Sequence, residues 1–238
     1  MTALLASVRS LAEARLVAAG GADWIDLKEP AAGALGAVAP ETVTAVARAY
    51  GATHRISATI GDCWDRPEVI PARVAMMSAA GAQYVKIGAY AADPAPDLLA
   101  ALRAACALPA RVILVCFAER APQAMALEAL AATGLAGVML DTAVKDGPRL
   151  TELIAPDARA AFVRTARGLG LLSGLAGRLR ADDVPALREA APDYLGFRGA
   201  LCSGGAREAD IDPARVRALA RRLARAAIPA EEDIHGLA

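Results

Sequence analysis

Residues 24–30 read WIDLKEP. Side chains alternate across a β-strand, so Ile25 and Leu27 take one face while Asp26 and Lys28 share the opposite one. The pattern is a short buried strand that carries an acid and a base. Similar apolar runs recur along the chain, and they predict strands at Ala3–Val8, Trp24–Leu27, Arg55–Thr59, Tyr84–Ile87, Val112–Cys116, Gly137–Leu140, Leu171–Gly174 and Tyr194–Phe197. Helical patterns fill the intervals. Ser10 with Glu13 forms a capping-box signature before one of them, and Pro40 and Pro67 suit first-turn positions. Asp182 or Asp183 is placed to cap a helix around Val184–Ala190, and Asp212 to cap Pro213–Ala227. Gly20, Gly51, Gly81 and Gly134 fall where helices should stop. A strand followed by a helix, repeated about eight times in roughly 250 residues, is the pattern of an α/β chain folded as a single-domain (β/α)8 TIM barrel. A doubly wound sheet is the alternative, because alternation alone does not close a barrel. No linker or composition shift divides the chain, so residues 1–228 are expected to form the barrel and 229–238 a C-terminal tail.

The basic residues are unevenly chosen. Of 26 lysine and arginine residues, only Lys28, Lys86 and Lys145 are lysines. The Ala-, Gly-, Pro- and Arg-rich composition suggests a GC-rich genome in which dispensable lysines have become arginines. The survivors are then candidates for work arginine cannot do, namely losing a proton and forming a carbon–nitrogen double bond with a carbonyl. On the expected barrel Lys28 follows the second strand, Lys86 lies in the fourth and Lys145 follows the sixth. Even-numbered strands fill common interior layers, so the three ammonium groups should converge near the C-terminal mouth. Val85 and Ile87 should face the helices, leaving Tyr84, Lys86 and Gly88 inside. Likewise Val138 and Leu140 should point outward and Asp141 inward, and Ser57 and Thr59 share a face with Asp62 just beyond. Clustered cations and burial both depress a lysine pKa, which favours a neutral nucleophile and a Schiff base. Asp26 and Asp141 are placed to shuttle protons or to hold an ammonium. The competing interpretation is that the lysines only pair with carboxylates and seal the mouth.

A second signal lies in SGLAGRL and LGFRGALCSGGAR, after strands seven and eight. Their small residues can present backbone N–H groups to a phosphate, which barrels frequently bind there. Gly177, Arg178, Gly199 and Ala200 are the candidates, with Ser7 at the end of the first strand as a further substrate-binding residue and Ser203, Gly204 and Gly205 as a lid. GALGA, residues 33–37, reads as a flexible loop over the mouth.

Composition excludes other classes. The formal net charge is +0, 22% of residues are charged and only 4% are aromatic, so neither nucleic acid nor an anionic membrane is an expected partner. The opening apolar stretch ALLASV is too short for a signal peptide or a membrane span, and a cytoplasmic protein is expected. Cys63, Cys106, Cys116 and Cys202 form no C-x-x-C pair, and His54 and His235 are the only histidines. No metal and no cofactor is expected.

Five ordered blocks, SVRSLAEARLVAAGGADWIDLKEPAAGALGA, SATIGD, YVKIGAY, VMLDTAVKDGPRL and LGFRGALCSGGAR, resemble the (5-formylfuran-3-yl)methyl phosphate synthase family, also called 4-(hydroxymethyl)-2-furancarboxaldehyde-phosphate synthase. The resemblance runs from about Leu4 to Arg207. It implies a TIM-barrel lyase that joins two molecules of glyceraldehyde 3-phosphate into a phosphorylated furan aldehyde, with loss of phosphate and water, on the way to methanofuran-type one-carbon cofactors. It further implies Lys28 as the Schiff-base nucleophile beside Asp26, Lys86 as a second catalytic lysine, and Asp141 with Lys145 as an acid/base pair. Triose phosphates would be the small-molecule partners, and a homo-oligomer is expected. One departure is LAGRL where the family is expected to read LAGSL, which puts the role of Arg178 in question. A class I aldolase on a phosphorylated sugar, a noncatalytic sugar-phosphate-binding barrel, or a decarboxylase or isomerase of the same fold are the alternatives.

Overall fold

In a computed structural model, which describes residues 2–63, 65–89, 95–120, 126–144 and 146–224, each predicted strand is present. The first half runs β1 (Ala3–Val8), α1 (Leu11–Ala19), β2 (Trp24–Leu27), α2 (Pro40–Tyr50), β3 (Arg55–Thr59), α3 (Ile70–Ala79), β4 (Tyr84–Ala89) and α4 (Pro96–Cys106). The second half runs β5 (Arg111–Phe117), α5 (Leu127–Ala131), β6 (Gly137–Asp141), α6 (Leu150–Leu153), α7 (Pro156–Gly168), β7 (Leu172–Leu175), α8 (Val184–Glu189), β8 (Tyr194–Phe197) and α9 (Pro213–Ala224). The strands pair in chain order and β8 closes onto β1, with Ala3 opposite Tyr194, as a parallel barrel. The doubly wound alternative is thereby excluded. Lys145 and the expected tail, residues 229–238, lie outside the described residues. Among the described residues no helix is long and apolar enough to cross a membrane.

Closure gives two cores. Between strands and helices, Ile25, Leu27, Val85, Ile87, Val138 and Leu140 pack with helix residues such as Val17, Val46, Val74, Leu102, Val163 and Val216. Inside the barrel, Leu5, Trp24, Tyr84, Ile113, Val115, Met139 and Tyr194 form the second cluster. Alternation along β2 therefore places Trp24, Asp26 and Lys28 on one inner face, in order from floor to mouth. The floor is aromatic, with the Trp24 ring centroid 4.5 Å from Tyr84 and 5.0 Å from Tyr194. Gly174 on β7 makes room for it, since a Cβ there would sit 2.3 Å from the Tyr194 ring.

Three local expectations need correction. Ser10 accepts the Glu13 N–H as an N-cap should, but the Glu13 carboxylate does not return to Ser10 and instead takes the Arg9 N–H and the Arg198 guanidinium. Asp183 occupies the N-cap position of α8 without bonding that helix, its carboxylate accepting from the Arg180 N–H and from Arg149. The GALGA segment is no loose flap. Leu35 is fully buried against the interior cluster, the Gly36 carbonyl accepts the Glu29 N–H and the Thr59 hydroxyl, and the Leu35 carbonyl accepts the Gly61 N–H. A leucine carried by small neighbours has plugged one side of the barrel top, because its apolar surface is worth about 1.5–3 kcal/mol when buried.

Candidate active site

The polar layer above the aromatic floor is built by four adjacent strands. Asp26 on β2 has no exposed surface, and its Oδ2 lies 2.7 Å from the Nζ of Lys86 on β4. Ser7 on β1 donates to the same oxygen at 2.7 Å, and Ser57 on β3 donates to Oδ1 at 2.6 Å. A buried carboxylate and a buried ammonium each cost several kcal/mol to desolvate, and the cost is met only by pairing and by filling the remaining hydrogen-bond positions. Here both conditions hold. Of the two roles open to Asp26 from sequence, the geometry is that of holding an ammonium, with two hydroxyls and one lysine on its oxygens.

Lys28 stands one step higher, where β2 ends. Its side chain is 11% exposed, and its Nζ lies 3.6 Å from Asp141 Oδ2 at the end of β6, across the barrel. That separation exceeds the 2.7–3.2 Å of a normal N–H···O bond, so the contact is an electrostatic one. The other Asp141 oxygen accepts the Thr142 N–H at 2.7 Å, which fixes the carboxylate's direction. Lys28, Lys86 and Asp141 all line one cavity of 840 Å³, within the ~300–1,000 Å³ of small-molecule sites.

The rim of that cavity carries the expected phosphate loops. Gly177, Arg178, Gly199 and Ala200 line it, as do Ser7, Gly204 and Gly205. Gly177 has φ +108°, and a Cβ there would lie 2.8 Å from Thr142 Cγ2, so only glycine turns the chain at this point. Arg178 is exposed and faces the cavity. Ser7 spends its proton on Asp26. Ser203 does not line the cavity; its N–H donates to the Asp210 carbonyl, and Cys202 pairs with Ile211. The β8 loop is thus a fastened turn more than a lid.

Several residues around the site escaped the sequence reading. Arg198 follows β8, ion-pairs with Glu13, and also donates to the carbonyls of Ser7, Ala209 and Arg207, the last at 2.7 Å. It ties the β8 loop to β1. Glu119, after β5, accepts the N–H groups of Ala143 and Val144, each at 3.0 Å, immediately before Lys145 in the chain. Arg207 lines the cavity and donates to the Gly33 carbonyl at 3.0 Å. Only Glu13 had a local signal, and it pointed to a helix cap. The others are single charges whose partners lie far away in sequence.

Among the described residues no cluster of His, Cys, Asp and Glu is arranged to hold a metal ion. Burial pushes the Cys116 thiol up to about 12, which leaves it protonated and inert as a nucleophile. The chemistry of this site is that of two lysines and two aspartates under a rim of arginines.

Solved structures of similar shape include phosphoribosyl anthranilate isomerase from Thermus thermophilus, with TM-score 0.65 and 18% identity over 94% of this chain and 98% of that one. A 3-hexulose-6-phosphate synthase matches with TM-score 0.62 and 21% identity over 92% and 97%. These establish the fold alone. Sequence relatives are more specific. A Methylorubrum extorquens protein provisionally named (5-formylfuran-3-yl)methyl phosphate synthase is 45% identical over 90% of this chain and 88% of its own. The (5-formylfuran-3-yl)methyl phosphate synthase of Methanopyrus kandleri is 34% identical over 93% and 98%, and that of Methanocaldococcus jannaschii 35% identical over 86% and 92%. The family model described as 4-HFC-P synthase matches residues 4–220. The chain belongs to the (5-formylfuran-3-yl)methyl phosphate synthase family, and it is an enzyme.

Proposed function

We propose that this enzyme condenses two molecules of glyceraldehyde 3-phosphate through a Schiff base on Lys28 into (5-formylfuran-3-yl)methyl phosphate, releasing phosphate and water. The observation that carries this reading is the pair of lysines that line one cavity from the inner face of the barrel, each beside a carboxylate. A purely electrostatic clamp would be served as well or better by arginine, the residue this chain uses almost everywhere else.

Lys28 is the better nucleophile by position. Lys86 lies deeper and is bound at 2.7 Å to Asp26, whereas Lys28 sits at the rim with Asp141 at 3.6 Å. The Lys28 nitrogen adds to the aldehyde carbon of the first triose phosphate, and loss of the carbonyl oxygen as water leaves the imine. Imine formation acidifies the neighbouring C–H, and its deprotonation gives an enamine that attacks the carbonyl of the second aldehyde. Asp141, next to the Lys28 nitrogen, is placed to exchange protons there, and Lys86 supplies a cation beneath the developing oxyanion. Phosphate elimination, ring closure and dehydration complete the furan, and addition of water to the imine carbon releases the product and frees Lys28. Gly177, Arg178, Gly199 and Ala200 receive a substrate phosphate. Such a product serves as the furan precursor of methanofuran-type one-carbon cofactors.

The test is to incubate the protein with glyceraldehyde 3-phosphate, following the furan-aldehyde absorbance and released phosphate together. The wild type should give both signals and Lys28→Arg neither, and borohydride should trap substrate on Lys28. Trapping without furan would move the assignment to an aldolase. Absence of trapping and product alike would remove catalysis by imine from the reading.

A further inference from the structure

Two phosphorylated substrates need two anion subsites, and the loops after β7 and β8 account for one. Of the six arginines among the described residues that line the cavity, three are matched by acids: Arg149 pairs with Glu152 and Asp183, Arg198 with Glu13, and Arg215 with Asp212. Arg178 and Arg180 are exposed. Arg207 is different. It is half-buried, and among the described residues no carboxylate lies within ion-pair distance of it. Its one side-chain hydrogen bond there goes to the neutral carbonyl of Gly33, which uses one of the five N–H donors of a guanidinium.

The position of Arg207 is fixed at both ends. Arg198 holds its backbone carbonyl at 2.7 Å, and Gly33 belongs to the segment after β2 whose Leu35 plugs the barrel. Arg207 therefore reaches from the β8 loop over β1 to the β2 side of the mouth, the side from which Lys28 projects. Arg178, by contrast, follows β7. Burial disfavours the Arg207 charge, and the nearby negative charge of Asp141 favours it. A half-buried, preoriented guanidinium with no acid at ion-pair distance among the described residues is the arrangement that recognises a phosphate bidentately.

We propose that Arg207 is the ligand for the phosphate of the second triose phosphate, which forms an anion subsite separate from the Gly177–Arg178 one. This rests on the two-triose reading above. In the bound state the phosphate oxygens take guanidinium N–H donors that now face the cavity, and Arg207 sets the second aldehyde against the enamine on Lys28.

The experiment compares Arg207→Ala and Arg207→Lys with wild type, using glyceraldehyde 3-phosphate in two assays. Borohydride trapping against concentration reports the first substrate and also shows that the variant is folded. Furan formation against concentration reports the second. Arg207→Ala should trap substrate with a half-saturating concentration within twofold of wild type, yet need at least about tenfold more for furan formation, the size expected when a charge-assisted hydrogen bond is lost. Arg207→Lys should recover part of that shift. An unchanged concentration dependence in Arg207→Ala, or equal shifts in both assays, would show that Arg207 only ties two loops together and would overturn the proposal. A wild type that makes no furan would instead remove the two-triose reading and this subsite with it.

Discussion

The Asp26–Lys86 pair makes the most demanding prediction, because its distance, burial and partners are all defined. Asp26→Asn keeps the side-chain shape and removes the charge. Lys86, 3% exposed in its side chain, then loses the carboxylate at 2.7 Å, and the new amide NH₂ takes the place of an oxygen that accepted from Lys86, Ser7 or Ser57. Removing one partner of a buried pair costs about 3–5 kcal/mol. In a protein of 238 residues that lowers the melting temperature by roughly 6–20 °C. Asp26→Asn with Lys86→Met removes both charges and should recover much of the loss, with a coupling energy of about 2–3 kcal/mol in the double-mutant cycle. The exposed Asp182–Arg222 pair, at a comparable 3.1 Å, is the control: Asp182→Asn should leave melting unchanged, since solvent screens it. The assay is thermal melting followed by circular dichroism, with all variants under one buffer and scan rate. A cost below about 1 kcal/mol for Asp26→Asn, or strict additivity in the cycle, would refute the claim that this layer depends on mutual charge compensation.

Three further outcomes are expected. Glu119→Ala, which takes the acceptor from the Ala143 and Val144 N–H groups, should lower kcat by about tenfold with KM within twofold, because an ordered loop is lost while the phosphate sites stay intact; steady-state furan formation measures it. Leu35→Ala should destabilise the fold by about 2–5 kcal/mol in a urea titration, a loss that no loose flap would produce. Cys116, raised from 9.0 to about 12 by burial, holds in the folded state a proton that the unfolded chain releases above 9. Stability should therefore fall by about 1.4 kcal/mol per pH unit from pH 9 toward 12 through this group, and Cys116→Ala should flatten that slope in denaturation measured across the same range.

The strands were legible because parallel strands buried on both faces read as short apolar runs, a signal local to each segment. β2 and β3 match their expected bounds, β5 extends one residue further at each end, and β7 is displaced by one residue. The lysines and acids of the candidate site were legible for a different reason, since scarcity marked the lysines and alternation along the strands placed Lys28 and Lys86 on the inner face. Which acid meets which lysine was not. Asp26 and Lys28 are neighbours on one strand, yet Asp26 pairs with Lys86 two strands away and Lys28 faces Asp141 across the barrel. Those partners follow from the register of a closed sheet, which no single segment specifies. Glu13 and the GALGA segment failed in the same way: a cap motif and a small-residue run have obvious local uses, and long-range contacts with Arg198 and the barrel interior took precedence.

The division between lysine and arginine follows the same vertical order as the site. In the buried layer, among the described residues, the two acids Asp26 and Asp141 stand against the two lysines Lys86 and Lys28. On the proposed imine chemistry arginine cannot replace lysine there, because that chemistry requires an amine that can lose its proton. Above it, Arg178, Arg180 and Arg207 line the cavity without a carboxylate ion-pair partner among the described residues, leaving positive charge for the phosphates of the proposed substrates. There the planar fork of arginine is the better instrument, and lysine would be the weaker substitute. Exchanging the two residue types should consequently fail asymmetrically: Lys28→Arg removes chemistry while sparing phosphate affinity, and Arg207→Lys weakens phosphate affinity while sparing imine formation. A site whose cations were interchangeable anion clamps would show the same loss for both.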